Sequence, residues 1–125
     1  MIRLLIVDDH TVVRQGLSML FGTVDDIEVV GTAADGVVAL SKVQALTPDV
    51  VLMDIGMPRL DGIEATRRIV TDDPDAMVVI LTGDTDDAKM QQAVEAGALG
   101  FLFKDADPEA LFAAVRTAYM HQIPT

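Results

Sequence analysis

Three aspartates, a threonine and a lysine occupy equivalent places along this chain. Asp8 and Asp9 end the apolar run Leu4 to Val7, and Asp54 ends the run Val50 to Met53. A third run, Val78 to Leu81, ends in Thr82, and a fourth, Leu99 to Phe103, ends in Lys104. Each run has the length and the Val, Ile, Leu or Phe content of a buried strand. In a parallel α/β sheet the carboxyl ends of the strands form the ligand-binding edge. Residues scattered from position 8 to position 104 are therefore expected to meet there. Three carboxylates held a few ångströms apart repel one another unless a cation joins them. Magnesium suits them, being hard, oxygen-seeking and able to keep waters that a phosphate can replace; manganese is the natural substitute. Calcium asks for more oxygens. Zinc asks for His or Cys, of which only His10 is near, expected to face the start of the first helix.

Asp54 stands apart from the Asp8–Asp9 pair and can serve as a nucleophile. A carboxylate can attack phosphorus to give an aspartyl phosphate, and phosphoryl transfer needs mainly positioning and neutralisation of the equatorial oxygens. The metal would take one such oxygen, Lys104 a second, and the Thr82 hydroxyl with nearby backbone N–H groups a third. Gly83 leaves room for the phosphate to approach the backbone. Taken singly, each residue has a plainer reading: a strand-terminal Asp caps a helix or forms a turn, and a lone Lys is a solvated surface group. Their joint placement at the ends of four runs favours the chemical reading.

Composition sets the limits. At 125 residues the chain is one domain, and a domain of this size buries roughly two-thirds of its unfolded surface. Half the residues are hydrophobic, so a packed core is expected. There are no cysteines, which removes disulfides, thiolate nucleophiles and cysteine-held metal. The net charge of −11 argues against direct binding to nucleic acid, where affinity rests on Lys and Arg neutralising phosphates. The first apolar run is too short for a signal peptide and ends in acids, and nothing approaches a membrane span. A cytoplasmic protein without membrane contact is the expectation.

Strand and helix patterns alternate five times, the signature of a doubly wound parallel sheet. Strands are expected at Ile2–Val7, Ile27–Ala33, Val50–Met53, Met77–Leu81 and Leu99–Phe103. The second is the most mixed and suits a sheet edge. The first helix runs to Phe21 with Val13, Leu17 and Leu20 inward. The second, Gly36–Leu46, turns Ala39, Val43 and Leu46 inward and stops at Thr47-Pro48. The third starts near Asp61-Gly62 and carries Ile63, Thr66 and Val70. The fourth, Asp86–Ala96, has a thin stripe of Met90, Ala93 and Val94 before the C′ glycine Gly97. The fifth opens with Asp107 as N-cap and Pro108 at the first position, burying Leu111, Val115 and Ala118.

With those residues assembled, the chain resembles a bacterial response-regulator receiver domain along its whole length. The matching segments are Leu5-Ile6-Val7-Asp8-Asp9-His10, Asp54-Ile55-Gly56-Met57-Pro58 with Leu60-Asp61-Gly62, Leu81-Thr82-Gly83, and Gly100-Phe101-Leu102-Phe103-Lys104. The Asp-Asp-His opening and Gly62-Ile63-Glu64-Ala65-Thr66-Arg67 resemble the NarL/FixJ (LuxR-type) branch most. The resemblance implies a flavodoxin-like (βα)5 three-layer sandwich with strand order 2-1-3-4-5. It implies that Asp54 accepts phosphate from the phosphohistidine of a sensor histidine kinase. Asp8, Asp9, Asp54 and the backbone carbonyl of Gly56 would hold Mg²⁺, and Thr82 and Lys104 would contact the phosphoryl group. Phe101 takes the switch-aromatic place. It further implies a C-terminal helix-turn-helix output domain outside residues 1–125, which would carry any DNA binding. Two departures stand out: Asp105 follows Lys104 where many receivers have proline, and Gly56 is small where a larger residue is common.

On this reading phosphorylation draws Thr82 toward the phosphate, and Phe101 turns inward to fill the vacated space, changing the surface of the fourth helix, fifth strand and fifth helix. Asp84, Asp86 and Asp87 read as acids favoured by the dipole of the fourth helix. Phe112, Tyr119 and Met120 are expected on the outer side of the fifth helix, as a homodimer patch or as core cover. The chain would catalyse only its own phosphorylation and dephosphorylation. A receiver acting alone by protein contact is one alternative. A Mg²⁺-dependent phosphatase of the haloacid-dehalogenase type is another, but it needs a second acid where Gly56 stands. A flavin binder needs a phosphate-cradling loop where Asp8-Asp9-His10-Thr11 stand.

Overall fold

The computed structural model describes residues 1–57, 59–83 and 87–122. Pro58 of the expected motif, Asp84 and Asp86 lie outside the described residues. Five strands and five helices alternate: β1 (Ile2–Val7), α1 (Thr11–Phe21), β2 (Ile27–Ala33), α2 (Gly36–Leu46), β3 (Val50–Asp54), α3 (Gly62–Asp72), β4 (Met77–Thr82), α4 (Asp87–Glu95), β5 (Gly100–Phe103) and α5 (Pro108–Gln122). The strands form one parallel sheet in the order β2-β1-β3-β4-β5. The flavodoxin-like order expected from the sequence is the order found.

Alternation along the central strands divides the core into two layers. Leu5, Val7, Val51, Met53, Val78 and Ile80 face one way and pack with Ala39 and Val43 of α2, Ala65 and Ile69 of α3 and Ala93 of α4. Ile2, Leu4, Ile6, Val50, Leu52, Val79 and Leu81 face the other way and meet Leu17 and Phe21 of α1 and Leu111, Phe112, Val115 and Ala118 of α5. Burial on both faces is why these strands read as unbroken apolar runs. At about 25 cal/mol per Å² of apolar surface, such layers supply most of the folding free energy.

Several expectations need correction. The run Leu99–Phe103 is not a buried strand. As the sheet edge it alternates, with Leu99, Phe101 and Phe103 exposed and Leu102 half-buried against the α1/α5 layer. α4 covers this face thinly, because Ala93 is its buried residue and Val94, expected inward, is exposed. The inner face of α3 centres on Ala65, Thr66 and Ile69, with Ile63 and Val70 only half-buried. Phe112 is not on the outer side of α5. It is buried edge-on against Phe21, with ring centroids 5.5 Å apart. Tyr119 also packs on that layer, which leaves Met120 alone of the three exposed.

Close approach requires glycine at positions 62 and 97. A Cβ on Gly62 would fall 1.9 Å from the Asp54 carbonyl oxygen. Gly97, at φ +115°, would put a Cβ 2.9 Å from Val70 Cγ1. By contrast, a Cβ on Gly16 in α1 would meet nothing within 4 Å. Gly62→Ala is therefore expected to destabilise by about 3 kcal/mol or more, the upper range for overpacking. Gly16→Ala should stabilise by about 0.5–1 kcal/mol through helix propensity. Urea unfolding of the two variants checks both signs.

Candidate functional site

The carboxyl ends of β1, β3, β4 and β5 stand side by side, and their register fixes what meets there. Val7 pairs with Met53, Asp54 with Leu81, and Thr82 with Phe103. Asp8 continues β1 by donating its backbone N–H to the Ala33 carbonyl at 3.0 Å. Lys104 continues β5 by donating its N–H to the Thr82 carbonyl at 2.8 Å. Asp8 and Asp54 are almost wholly buried, at 0% and 5% exposure, and Thr82 is buried beside them at the end of β4. Asp9 is partly exposed.

Lys104 is the cation that the carboxylates share. Its Nζ lies 2.8 Å from Asp8 Oδ2 and 3.4 Å from Asp54 Oδ1. Asp8 Oδ1 also accepts from the backbone N–H of His10 at 2.8 Å. Burial alone would raise the Asp8 pKa, but the bonds from Lys104 and from the His10 backbone and ring outweigh it and hold the carboxyl below the usual range. Asp54 goes the other way. Burial first, then the negative charge of Asp8, push it up to about 6, with Lys104 only partly offsetting them. Lys104 is raised in turn: burial favours the neutral amine, but its two carboxylate partners prevail.

Asp54 Oδ2 is buried without a hydrogen-bond partner. A buried carboxylate oxygen left unpaired is costly, and a small cation would satisfy it. Ligand atoms of Asp8, Asp9, His10 and Asp54 all lie within 4.8 Å of one another, so this cluster can hold a metal ion. Most of the donors are carboxylate oxygens, which suits a hard dication. Gly56 lies in the β3–α3 loop, exposed, with open space where a Cβ would project.

The structure thus brings together Asp8, Asp9, Asp54 and Lys104, and register sets Thr82 one residue beyond the strand partner of Asp54. Phe101 is not in the pocket; it lies on β5, 37% exposed. His10 departs from expectation. Although it precedes α1, its side chain does not cap the helix; Nδ1 turns back to Asp8 Oδ1 at 2.9 Å and Asp9 Oδ1 at 3.1 Å. Arg14 was also missed: its guanidinium donates to the Asp8 carbonyl at 2.7 Å. Its spacing of six from Asp8, one helical turn inside α1, was the available signal.

The profile of the response regulator receiver domain matches residues 4–116. This chain belongs to the response regulator receiver domain family. It is 46% identical over 118 residues to the oxygen regulatory protein NreC of Staphylococcus carnosus (strain TM300), covering 94% of this chain and 54% of that protein. It is 42% identical over 118 residues to the transcriptional regulatory protein LiaR of Bacillus subtilis (strain 168), covering 94% and 56%. The signal receiver domain of the putative response regulator NarL from Mycobacterium tuberculosis superposes with a TM-score of 0.91 at 31% identity, covering 95% and 96%. These likenesses place the receiver in the NarL/FixJ branch, and it spans about half the length of the curated relatives it matches. No helix among the described residues is long and apolar enough to cross a membrane.

The raised Asp54 pKa has a stability consequence. Between the ordinary value near 4 and about 6, the folded state binds a proton that the unfolded state has released, so its stability falls as pH rises through that window. In metal-free buffer, Asp54→Asn should thus be more stable than wild type at pH 7.5 by about 2–3 kcal/mol, from 1.36 kcal/mol per pKa unit. The gap should close as pH falls to about 4, the ordinary carboxylate value. Thermal unfolding across pH 4–8 measures it; a gap independent of pH contradicts the assignment.

Proposed function

We propose that this receiver is a phosphoaccepting switch in which Asp54 takes a phosphoryl group from the phosphohistidine of a sensor histidine kinase. The observation that carries the reading is Asp54 Oδ2: buried, unpaired, and set among Asp8, Asp9 and Lys104. In the step, an Asp54 carboxylate oxygen forms a bond to phosphorus while the bond from phosphorus to the donor breaks. The electron pair of that broken bond stays with the leaving imidazole, or with acetate when acetyl phosphate is the donor. Lys104 Nζ would neutralise an equatorial oxygen, and the Thr82 hydroxyl would donate to another. Asp8, Asp9, Asp54 and the Gly56 carbonyl would hold Mg²⁺, or Mn²⁺ in its place, which supplies charge neutralisation to the transferring group. The chain acts only on itself, forming and losing its own acyl phosphate.

Exposed aromatics on the edge strand support this reading of the switch. Phe101 and Phe103 stand on a thinly covered edge strand, and an element with few buried contacts shifts at low cost. Thr82, moving toward a phosphate on Asp54, would open space behind it, and Phe101 would turn in. The changed α4–β5–α5 surface would then report phosphorylation and would offer a contact for a homodimer. The homologues named as transcriptional regulators, of which the match covers 54% and 56%, support a C-terminal helix-turn-helix domain outside residues 1–125 as the DNA-binding output. A cytoplasmic setting agrees with a kinase-fed switch.

The test is incubation with acetyl phosphate and Mg²⁺ followed by intact mass. Wild type should gain one phosphoryl group; Asp54→Asn should gain none, and Lys104→Ala should lose at least about tenfold in rate, as for removal of one transition-state donor. Labelling of Asp54→Asn equal to wild type overturns the proposal. The open position at Gly56 bears on lifetime: Gly56→Arg, by shielding the acyl phosphate from water, should lengthen its half-life. An unchanged half-life removes that role from Gly56.

A further inference from the structure

The β3–α3 loop starts at Asp54, passes Gly56 and ends where α3 begins at Gly62. Its near end is anchored by the Gly62 N–H donating to the Ile55 carbonyl at 2.9 Å. Its far end is tied to α2, outside the acidic site. Asp35 caps α2 by accepting the Val38 N–H at 2.9 Å, and it is 7% exposed. The other Asp35 oxygen accepts from the Arg59 guanidinium, through Nε at 3.1 Å and through Nη2. One residue on, the Gly36 N–H donates to the Leu60 carbonyl at 3.2 Å, and a Cβ on Gly36 would fall 2.4 Å from that oxygen. Arg59 holds φ at +66°, a left-handed conformation that an L side chain adopts only where its surroundings hold it.

We infer that Asp35 and Arg59 form a latch that holds the β3–α3 loop against α2 and thereby sets the affinity of the acidic site for a divalent cation. Neither touches a reacting atom, so both are positioning residues. The latch rests on the reading of Asp54 and Gly56 as metal-holding positions. The Val38 N–H first, and Arg59 second, keep the Asp35 carboxyl below its ordinary pKa, so the pair is charged at neutral pH. The plainer account makes Asp35 a helix cap and Arg59 a half-solvated surface group. The two accounts differ in sign. Arg59→Gln removes a positive charge from the same end of the sheet, and by charge alone a dication would then bind more tightly. Loss of the latch frees the loop and weakens binding. Partners that orient metal ligands cost about 10–100-fold in affinity when removed; for a pair whose arginine is exposed and which acts through a loop, about three- to tenfold is expected.

Isothermal titration of Mg²⁺ into the intact chain, with Tm recorded for each protein, tests this. Arg59→Gln and Asp35→Ser are the variants, the serine keeping a good N-cap on α2. Both should weaken Mg²⁺ binding, Asp35→Ser the more because it also removes a negative charge; the double variant should be no worse than Asp35→Ser, and Arg59→Lys should recover part of the loss. Tm should stay close to wild type. Unchanged or tighter Mg²⁺ binding in Arg59→Gln overturns the latch while leaving the functional reading intact. Failure of wild type itself to bind Mg²⁺ overturns that reading, and the latch with it.

Discussion

Two buried carboxylates, Asp8 and Asp54, share a single ammonium, Lys104. Like charges withdrawn from water raise each other's cost of ionisation, and one lysine cannot answer both. Asp8 holds the shorter contact and two bonds from His10, so the imbalance falls on Asp54. That leaves one oxygen unpaired and a carboxyl that ionises less readily than its type. The core does not let this strain relax. Each central strand is packed on both faces, and close packing resists the shift that would move Asp54 to solvent. The frustration is thus built into the sheet, and on the proposed reading a cation entering from outside would relieve it.

Around that point the domain is mechanically uneven. On one side β2, β1 and β3 are covered by α2 and α3, and the β3–α3 loop is fastened through Gly62, Gly36 and the Asp35–Arg59 pair. On the other side β5 is an edge strand whose Leu99, Phe101 and Phe103 remain exposed, beneath a helix with one buried alanine. On the proposed reading, a charge added at Asp54 would be held steady by the first half and transmitted by the second. Lys104 and Thr82 lie at the border, linked by the backbone bond from Lys104 N–H to the Thr82 carbonyl.

Much of this was legible in the sequence because the signals were local or periodic. Apolar runs ending in polar residues located the strands and the site together, and Gly97 marked the end of α4. What was not legible depended on three-dimensional neighbours. Whether Leu99–Phe103 is covered depends on α4, whose own pattern is weak, so the run read as core although it is an edge. Phe112 read as outward because α5 is apolar on more than one side, and only the facing Phe21 settles its burial. His10 and Arg59 gave no periodic signal at all; each acquires a role from a carboxylate that another part of the backbone delivers.

The central claim is that burial and the neighbouring Asp8 hold Asp54 in an unsatisfied state which a dication relieves. The most direct test is a site-resolved ¹³C NMR titration of the Asp54 side-chain carboxyl, without and with Mg²⁺. The account expects an apparent pKa of about 6 in metal-free protein and a clear fall when Mg²⁺ is added. An Asp54 carboxyl that titrates near the ordinary value of about 4, and is indifferent to Mg²⁺, would contradict it.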